Sequence, residues 1–290
     1  MKNNRGDILM KKKNNKLTLI KNIFLILITA FMLYPIIWML LGSFKSNEEV
    51  FSLTQFFPSK WHFENYVDAW SAIPPYNFGT FFLNSFLISG LTTVGTVISC
   101  TLAAYPFARM DFRGKKLFFS CVIATLILPS QILLIPRFIM FSKVGWTDSY
   151  LPLVVPSFFC QVSGAFCIYM MVQFMRSIPN ELEEAAVVDG CGLSRRLLSV
   201  ILPNCKPALF TIAIFSFIWS WDDFLNQLIY LNTTVKFTVA LALRMFNDNQ
   251  SVINWGELFS VSILSITPVA LIYAFAQKYF VEGIATTGLK

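Results

Sequence analysis

No charged residue interrupts residues 78–108, which read FGTFFLNSFLISGLTTVGTVISCTLAAYPFA. An α-helix of about 20 apolar residues crosses the hydrocarbon core of a bilayer, which is about 30 Å thick. Strands of a membrane barrel would alternate apolar and polar residues over about ten positions, and this stretch does not alternate in that way. The stretch therefore predicts a helix that crosses a membrane.

Five other stretches have the same character: residues 22–42, 117–136, 150–175, 207–231 and 258–277. Only residues 207–231 contain charges, which are Asp222 and Asp223. The whole chain is 56% hydrophobic and 13% charged, with a mean hydropathy of +0.61, whereas a typical soluble domain is about 25% charged. Because lipid offers the backbone no hydrogen-bond partners, such spans form helices or closed barrels. We predict an all-α membrane protein with six transmembrane helices.

The lysines and arginines predict the orientation. With the N-terminus inside the cell, 17 of the 23 basic residues fall in cytoplasmic segments and six fall in outer loops. Short cytoplasmic loops carry an excess of positive charge, so both termini are predicted to be cytoplasmic and the net charge of +7 needs no nucleic acid. The predicted segments are a basic cytoplasmic N-terminus (1–21), a first transmembrane helix (22–42), an outer loop (43–77), a core with five transmembrane helices (78–280) that includes a cytoplasmic loop (176–206), and a cytoplasmic tail (281–290).

Residues typical of catalysis or metal binding are scarce in the sequence. The chain has no Gly-x-x-x-x-Gly-Lys-Ser/Thr motif to hold nucleotide phosphates, and His62 is its only histidine. None of its six cysteines pairs with another at metal-ligand spacing beside a histidine. We therefore expect no enzymatic activity, no bound cofactor and no metal site in this chain.

The polar loop between the fourth and fifth predicted spans has the pattern of two short helices joined by a turn. Pro179 suits the first turn of the first helix, and three glutamates follow it at the positive end of that helix. Gly190 and Gly192 permit the left-handed conformation that ends a helix. Ser194 would cap the second helix, and Pro203 would stop it. The loop is either a docking element for another protein or an amphipathic surface helix.

The spacing of residues in this loop resembles the EAA signature of ABC importer permeases. Glu-Ala-Ala is followed after three residues by glycine, and after nine more by Val-x-Leu-Pro, with Val200 where the family usually has isoleucine. The resemblance implies that Glu184 pairs with a basic residue of a separate ATPase subunit and that Gly190 makes the turn. The residues assigned to this coupling loop are Glu184, Ala185, Ala186, Asp189, Gly190, Val200, Leu202 and Pro203.

Other segments resemble one branch of that family, the second permease subunit of maltose-type carbohydrate importers. They include Trp61-x-x-x-Asn65-Tyr66, Leu128-Pro129-Ser130-Gln131, Trp219-x-Trp221 and the C-terminal residues 279–290. The resemblance implies a type I ABC importer permease fold in the cytoplasmic membrane of a prokaryote. It also implies a second permease subunit as heterodimer partner, two ATPase subunits that use the ATP, and an extracytoplasmic solute-binding protein.

The fifth predicted span contains a candidate substrate path, made of Trp219, Asp222, Asp223 and Asn226. In one continuous helix these residues would share a face with Phe215 and Tyr230. Aromatic rings beside polar groups suit sugars, although Asp222 stands where the family usually has asparagine, and the aromatics would alternatively form an interfacial belt.

Two other substrates or mechanisms stay open at this point. The first is a permease for glycerol-3-phosphate or another small polar solute. The charges predicted within the spans are all acidic, which favours a sugar over an anion. The second is an ion-coupled secondary transporter, in which Asp222 and Asp223 would bind the coupling ion.

Overall fold

The computed structural model of the chain describes residues 4–52, 55–160, 164–248 and 254–285, and the side chains of residues 18–52, 55–160, 164–245 and 254–277. Throughout these residues the regular structure is helical, and no strand occurs. The prediction of an all-α protein is therefore confirmed for this part of the chain. The α-helices are α1 (Asn4–Gly42), α2 (Asn47–Val50), α3 (Glu64–Trp70), α4 (Phe78–Arg109), α5 (Lys115–Thr125), α6 (Leu134–Lys143), α7 (Leu151–Val154), α8 (Gly164–Ser177), α9 (Glu181–Val188), α10 (Leu193–Arg196), α11 (Leu202–Asn204), α12 (Lys206–Trp221), α13 (Phe224–Tyr230), α14 (Val239–Asp248) and α15 (Trp255–Ala285).

The chain forms two compact units, and the smaller one consists of Met1–Ala69 and Gln250–Ile263. Its polar centre is the side-chain amide of Asn65, which donates to the carbonyl oxygens of Ser43 at 2.9 Å and Lys45 at 3.0 Å. A Cβ atom at Gly256 would lie 2.7 Å from the Lys45 carbonyl oxygen. Only glycine therefore allows the start of α15 to approach the end of α1 and the chain that follows it.

The larger unit consists of Trp70–Asn249 and Leu264–Lys290, and it is built around α4. Helices α8 and α12 both pack along α4. Their shared core buries mostly sulfur-containing and small apolar side chains, such as Cys100, Ala104 and Met171. Small residues also let a further segment approach α4 closely, because Gly95 lies against the 3₁₀ turn Val155–Phe159 and Ser99 Oγ donates to the Ser157 carbonyl at 2.8 Å.

Four helical segments are long and apolar enough to cross a membrane: Thr18–Gly42, Phe78–Arg109, Leu151–Ser177 and Trp255–Gln277. Two more spans arise only if each of two bent helix pairs counts as one, so the number of six stays a prediction, as does the orientation.

The first of these pairs joins Lys115–Thr125 to Ser130–Lys143 with a bend of 94°. The predicted span 117–136 is therefore not one continuous helix. Helix α5 ends at Thr125, four residues before Pro129, whose extended backbone precedes a 3₁₀ turn (Ser130–Leu133) that leads into α6. The physical reason is that proline cannot donate the hydrogen bond that a continuing helix needs.

Candidate functional site

We call residues 180–205 the elbow, because two helical segments meet there at a sharp turn. The first is α9, which ends at Val188, and the second runs from Leu193 to Asn204 with a π-helical turn at Leu197–Ile201. Gly190 lies between them with φ +77°, in the left-handed region. The predicted pair of short helices and the predicted turn at Gly190 are therefore confirmed.

Other details of the predicted elbow are wrong. Gly192 has φ −70° and ψ 168°, so it is the extended residue before α10 and is not left-handed. Ser194 lies inside α10 and does not cap it, and Pro179 precedes α9 by two residues. The second segment ends at Asn204, one residue after Pro203 and close to the predicted stop. Proline cannot donate the backbone hydrogen bond that a continuing helix needs.

The elbow presents the predicted coupling residues unequally. Glu184, Ala185, Asp189, Gly190 and Pro203 are exposed. Ala186 is buried, Val200 is half-buried, and Leu202 is half-buried against the core. The exposed surface also carries large apolar side chains that the sequence reasoning did not single out. They are Leu182, Val187, Val188, Leu193 and Leu198, of which Val188 is 88% exposed.

Glu183, which precedes the glutamate of the signature, lies in a buried polar cluster. The Tyr105 hydroxyl donates to its Oε1 at 2.5 Å. Arg196 Nη1 lies 3.4 Å from Oε1, and Arg109 Nε lies 3.8 Å from Oε2. The Glu183 side chain is only 12% exposed. We name Tyr105, Arg109, Glu183 and Arg196 the anchor cluster.

Arg109 extends the anchor cluster to a fourth helix, α8. Its side chain is 4% exposed, and its Nη2 donates to the carbonyl oxygens of Met175 at 2.5 Å and Ile178 at 2.6 Å. Its Nη1 donates to the side-chain oxygen of Asn180, the residue before α9. Sequence reasoning missed this cluster. The available signal was the spacing of Tyr105 and Arg109, which places both on one face at the end of α4.

A surface cleft of about 570 Å³ opens beside the anchor cluster, between the end of α4 and α9. Its lining alternates in charge, with the acidic residues Asp111, Glu183 and Glu184 and the basic residues Arg109, Lys115 and Arg196. Such a mixture suits the polar rim of a protein interface. A small anion would favour a lining of one sign.

The candidate substrate path does not form one helical face, so that prediction is wrong. Helix α12 ends at Trp221, and α13 begins at Phe224. The helix breaks here because Asp223 caps the next helix. Its Oδ1 accepts a hydrogen bond from the backbone N–H of Asn226 at 3.2 Å. The Asn226 amide also donates to both carboxylate oxygens, at 3.0 and 2.9 Å. Asp223 and Asn226 are therefore bound to each other.

The other two path residues, Trp219 and Asp222, are exposed. Trp219 is 37% exposed and stacks on Phe215 with ring centroids 5.2 Å apart. Phe166 meets it edge-on at 5.8 Å. Asp222 is the residue after α12. These aromatic rings form an exposed platform with one carboxylate at its end.

Arg137 lies close to Asp223, which corrects another expectation. The sequence suggested that only acidic charges occur in the spans, with Arg137 in an outer loop. The structure places Arg137 inside α6, where it lines a small cavity of about 30 Å³ together with Asp223, Asn226 and Tyr230. The absence of basic residues is therefore no argument for a sugar. Because Arg137 and Asp223 share this cavity, their opposite charges offset each other, and an anion is not favoured either.

Asp148 organises a second polar cluster that the sequence reasoning missed. Its Oδ1 accepts from the backbone N–H groups of Asn232 at 3.0 Å and Thr233 at 2.9 Å. Its Oδ2 accepts from the Thr233 hydroxyl at 2.5 Å and from Lys236 Nζ at 2.9 Å. The hydrogen bonds from Thr233 and then Lys236 hold the pKa of this carboxyl well below its usual range. Asp148 has φ +52°, a conformation that aspartate tolerates better than most residues.

Comparison with known proteins places the elbow inside a region that matches a known family. Residues 95–286 match the family described as "Binding-protein-dependent transport system inner membrane component". The chain belongs to this family of permeases. The matched region of the permease contains the second half of α4 and all of α5 to α15, and with them the elbow and the whole anchor cluster.

Curated relatives and a solved structure extend the match along most of the permease. It is 31% identical over 268 residues to the probable ABC transporter permease YurM of Bacillus subtilis strain 168, covering 92% of this chain and 87% of the relative. It is 30% identical over 265 residues to the trehalose/maltose permease MalG of Thermococcus litoralis, covering 91% and 94%. A crystal structure of a bacterial ABC transporter for alginate import contains a chain of the same fold, with a TM-score of 0.80 at 24% identity, covering 92% of this chain and 98% of that one.

Proposed function

We propose that this permease is the membrane subunit of an ATP-driven importer for a carbohydrate, and that its elbow receives an ATPase subunit. The observation that carries the proposal is the geometry of the elbow. Gly190 turns two short helices so that Glu184 stands exposed beside large apolar side chains. Exposed apolar groups with a polar rim are typical of a protein-docking surface.

The partners in this proposal follow from the family and its coupling chemistry. A second permease subunit completes the transmembrane path, and two ATPase subunits bind and hydrolyse the ATP. A solute-binding protein delivers the carbohydrate from outside, as the family description of binding-protein-dependent transport suggests. In this arrangement both termini lie in the cytoplasm of a prokaryote, and the permease itself binds lipid but no cofactor.

A carbohydrate is favoured by the relatives and by the aromatic platform. Curated relatives include permeases for trehalose and maltose and for diacetylchitobiose. The exposed ring of Trp219 would stack on the apolar C–H face of a sugar, and Asp222 would accept hydrogen bonds from its hydroxyl groups. Asp223 and Asn226 would then support the path from behind, since each already binds the other.

The rival hypotheses fare differently. The ion-coupled secondary transporter is wrong, because the chain belongs to a binding-protein-dependent family. Asp222 and Asp223, which would bind the coupling ion, also lie in different surroundings. Asp223 is bound to Asn226, whereas Asp222 is exposed. A glycerol-3-phosphate permease gains nothing from Arg137, because that residue shares its cavity with Asp223.

Co-purification tests the proposal directly. The tagged permease, co-expressed with a second permease and an ATPase subunit from the same organism, should retain the ATPase after detergent extraction. Glu184→Gln should weaken retention about tenfold, which corresponds to loss of one charge-assisted contact of about 1.4 kcal/mol. Glu181→Gln is the matched control, because Glu181 is an exposed glutamate on the same helix. Failure of the wild-type chain to retain any ATPase, or equal retention by Glu184→Gln, would contradict the proposal.

A further inference from the structure

Consecutive glutamates on α9 occupy opposite environments. Glu184 is exposed, whereas Glu183 is buried in the anchor cluster. The proposed function uses only the exposed residue. Burying a carboxylate is costly unless it is paired and hydrogen-bonded, so the pairing of Glu183 needs its own explanation.

We propose that Glu183 is a positioning residue that fastens the elbow to the cytoplasmic end of α4, so that the elbow and α4 move as one rigid body. The inference rests on the proposed function, because the movement would be driven by the ATPase subunits docked on the elbow. It adds a role for Glu183, Tyr105 and Arg109, whose side chains are largely buried beside the exposed docking residues.

The first step of the argument is that Glu183 joins both halves of the elbow to α4. Tyr105 donates to it from α4 at 2.5 Å, and Arg196 approaches it from α10 at 3.4 Å. Glu183 itself belongs to α9. A single carboxylate therefore connects one membrane helix with both short helices, on either side of the turn at Gly190.

The second step is that Arg109, at the end of α4, binds both the end of α8 and the start of α9. It binds the last carbonyl groups around the end of α8 and the side chain of Asn180, where α9 begins. The end of α8, the start of α9 and the end of α4 therefore meet at one guanidinium. Cations at a helix C-terminus are favourable because the free carbonyl groups there carry partial negative charge.

The third step is that burial makes these contacts stiff. The side chains of Arg109 and Glu183 are 4% and 12% exposed, so water and salt screen their attraction little. Removing one member of a buried charge pair leaves the other uncompensated, which costs far more than breaking a surface pair. Because α4 packs along both α8 and α12, a displacement of the elbow would be passed to the centre of the larger unit.

Distance measurements in the assembled complex test the inference. Spin labels on p-acetylphenylalanine at Leu91 and Glu181 would report the distance between α4 and the elbow, without labelling the native cysteines. Both positions are exposed, and residue 91 lies about 27 Å along the helix axis from Arg109. The distance is measured by double electron–electron resonance without nucleotide and after trapping with ATP and vanadate.

The wild-type complex should give one narrow distance distribution that does not change on trapping. Glu183→Gln should broaden it about twofold and make it shift on trapping, because a buried charge pair has been broken. Tyr105→Phe should give a smaller broadening, since it removes only one hydrogen bond. Arg195→Gln is the control, because Arg195 is an exposed arginine beside Arg196 on α10, and it should keep the wild-type distribution.

The outcomes separate the inference from the proposed function. If Glu183→Gln and Tyr105→Phe both keep the narrow, unchanged distribution while the ATPase co-purifies, the inference is overturned and the proposed function stands. If the wild-type distance itself shifts on trapping, the elbow and α4 are not one rigid body and the inference is again overturned. If no ATPase co-purifies with the wild-type chain, the proposed function has failed first. Should Glu183→Gln not fold, Tyr105→Phe alone decides the question.

Discussion

Glycines at positions 190 and 192 differ in backbone conformation although one residue separates them. Gly190 has φ +77°, whereas Gly192 is extended with φ −70°. Neither has any atom that an added Cβ would meet within 4 Å. At this scale the only distinction is the backbone, since a left-handed conformation disfavours every residue that has a Cβ atom.

Gly190→Ala is therefore predicted to strain the elbow, and Gly192→Ala is not. The first substitution should cost about 1–2 kcal/mol in the conformation that the turn requires. The measurement is the retention of the ATPase subunits by the tagged permease after detergent extraction, which should fall for Gly190→Ala. Gly190→Asn should retain more than alanine, because asparagine tolerates the left-handed region. Equal retention by the two alanine variants would show that this turn does not shape the docking surface.

Helix α4 acts as the element against which the larger unit is assembled. Gly90 and Gly95 lie on it five residues apart, but of these two only Gly95 faces a neighbour. A Cβ atom at Gly95 would come within 2.8 Å of the Phe158 ring, while one at Gly90 would meet nothing within 4 Å. Substitutions at these two positions therefore distinguish the effect of packing from the effect of helix propensity within one helix.

Gly95→Ala is predicted to lower the thermal stability of the detergent-solubilised protein. Overpacking of this kind costs about 1–3 kcal/mol, which exceeds the gain of about 1 kcal/mol from replacing glycine inside a helix. Gly90→Ala gains the higher helix propensity of alanine without a steric clash, so its Tm should equal or exceed that of the wild type. A Gly95→Ala protein with an unchanged or higher Tm would mean that the Val155–Phe159 turn can move away from α4.

The segment 231–237 is held to the loop before α7 by Asp148, and this contact should depend on pH. The folded-state pKa of Asp148 is lowered by its bonds to Thr233 and Lys236, so the carboxyl binds fewer protons when the contact is formed. Its stabilisation is complete above the ordinary pKa of about 3.9 and is lost as the pH falls below it toward the folded-state pKa.

Backbone hydrogen exchange in residues 231–237 should therefore show falling protection as the pH drops from about 5 to about 3, after correction for the intrinsic exchange rate. Asp148→Asn should remove this pH dependence and lower the protection at neutral pH. Asp111→Asn is the control, because the Asp111 side chain is fully exposed and pairs only with Lys115 in the described part of the chain. An unchanged pH profile in Asp148→Asn would assign the effect to another group.

At the scale of the whole molecule, the sequence predicted the features that follow from the apolar bilayer and from the spacing of motif residues. An uncharged stretch such as residues 78–108 has few alternatives to a membrane helix, and α4 covers it almost residue for residue. The gapped spacing from Glu184 to Pro203 predicted the elbow because that pattern resembles a known signature. The turn at Gly190 followed from the freedom of glycine.

The rest depended on tertiary contacts that a linear pattern does not contain. Glu183 and Glu184 are the same residue type at adjacent positions, and only the approach of Tyr105 and Arg196 distinguishes them. The break after Trp221 depends on Asp223 capping α13, where an apolar pattern interrupted only by Asp222 and Asp223 suggested a single helix. Arg137 was assigned to a loop by counting charges, although its partner Asp223 lies far away in sequence.

The elbow and α12 meet at an angle of 82°, between Leu193–Asn204 and Lys206–Trp221. Two nearly perpendicular helical segments joined at a corner act as a right-angled lever. A pull along one segment rotates the other about the corner. A force applied along the second half of the elbow is directed almost entirely across the axis of α12. We therefore expect α12, with the Trp219 platform near its far end, to tilt under such a force, whereas sliding along its own axis would receive almost none of it.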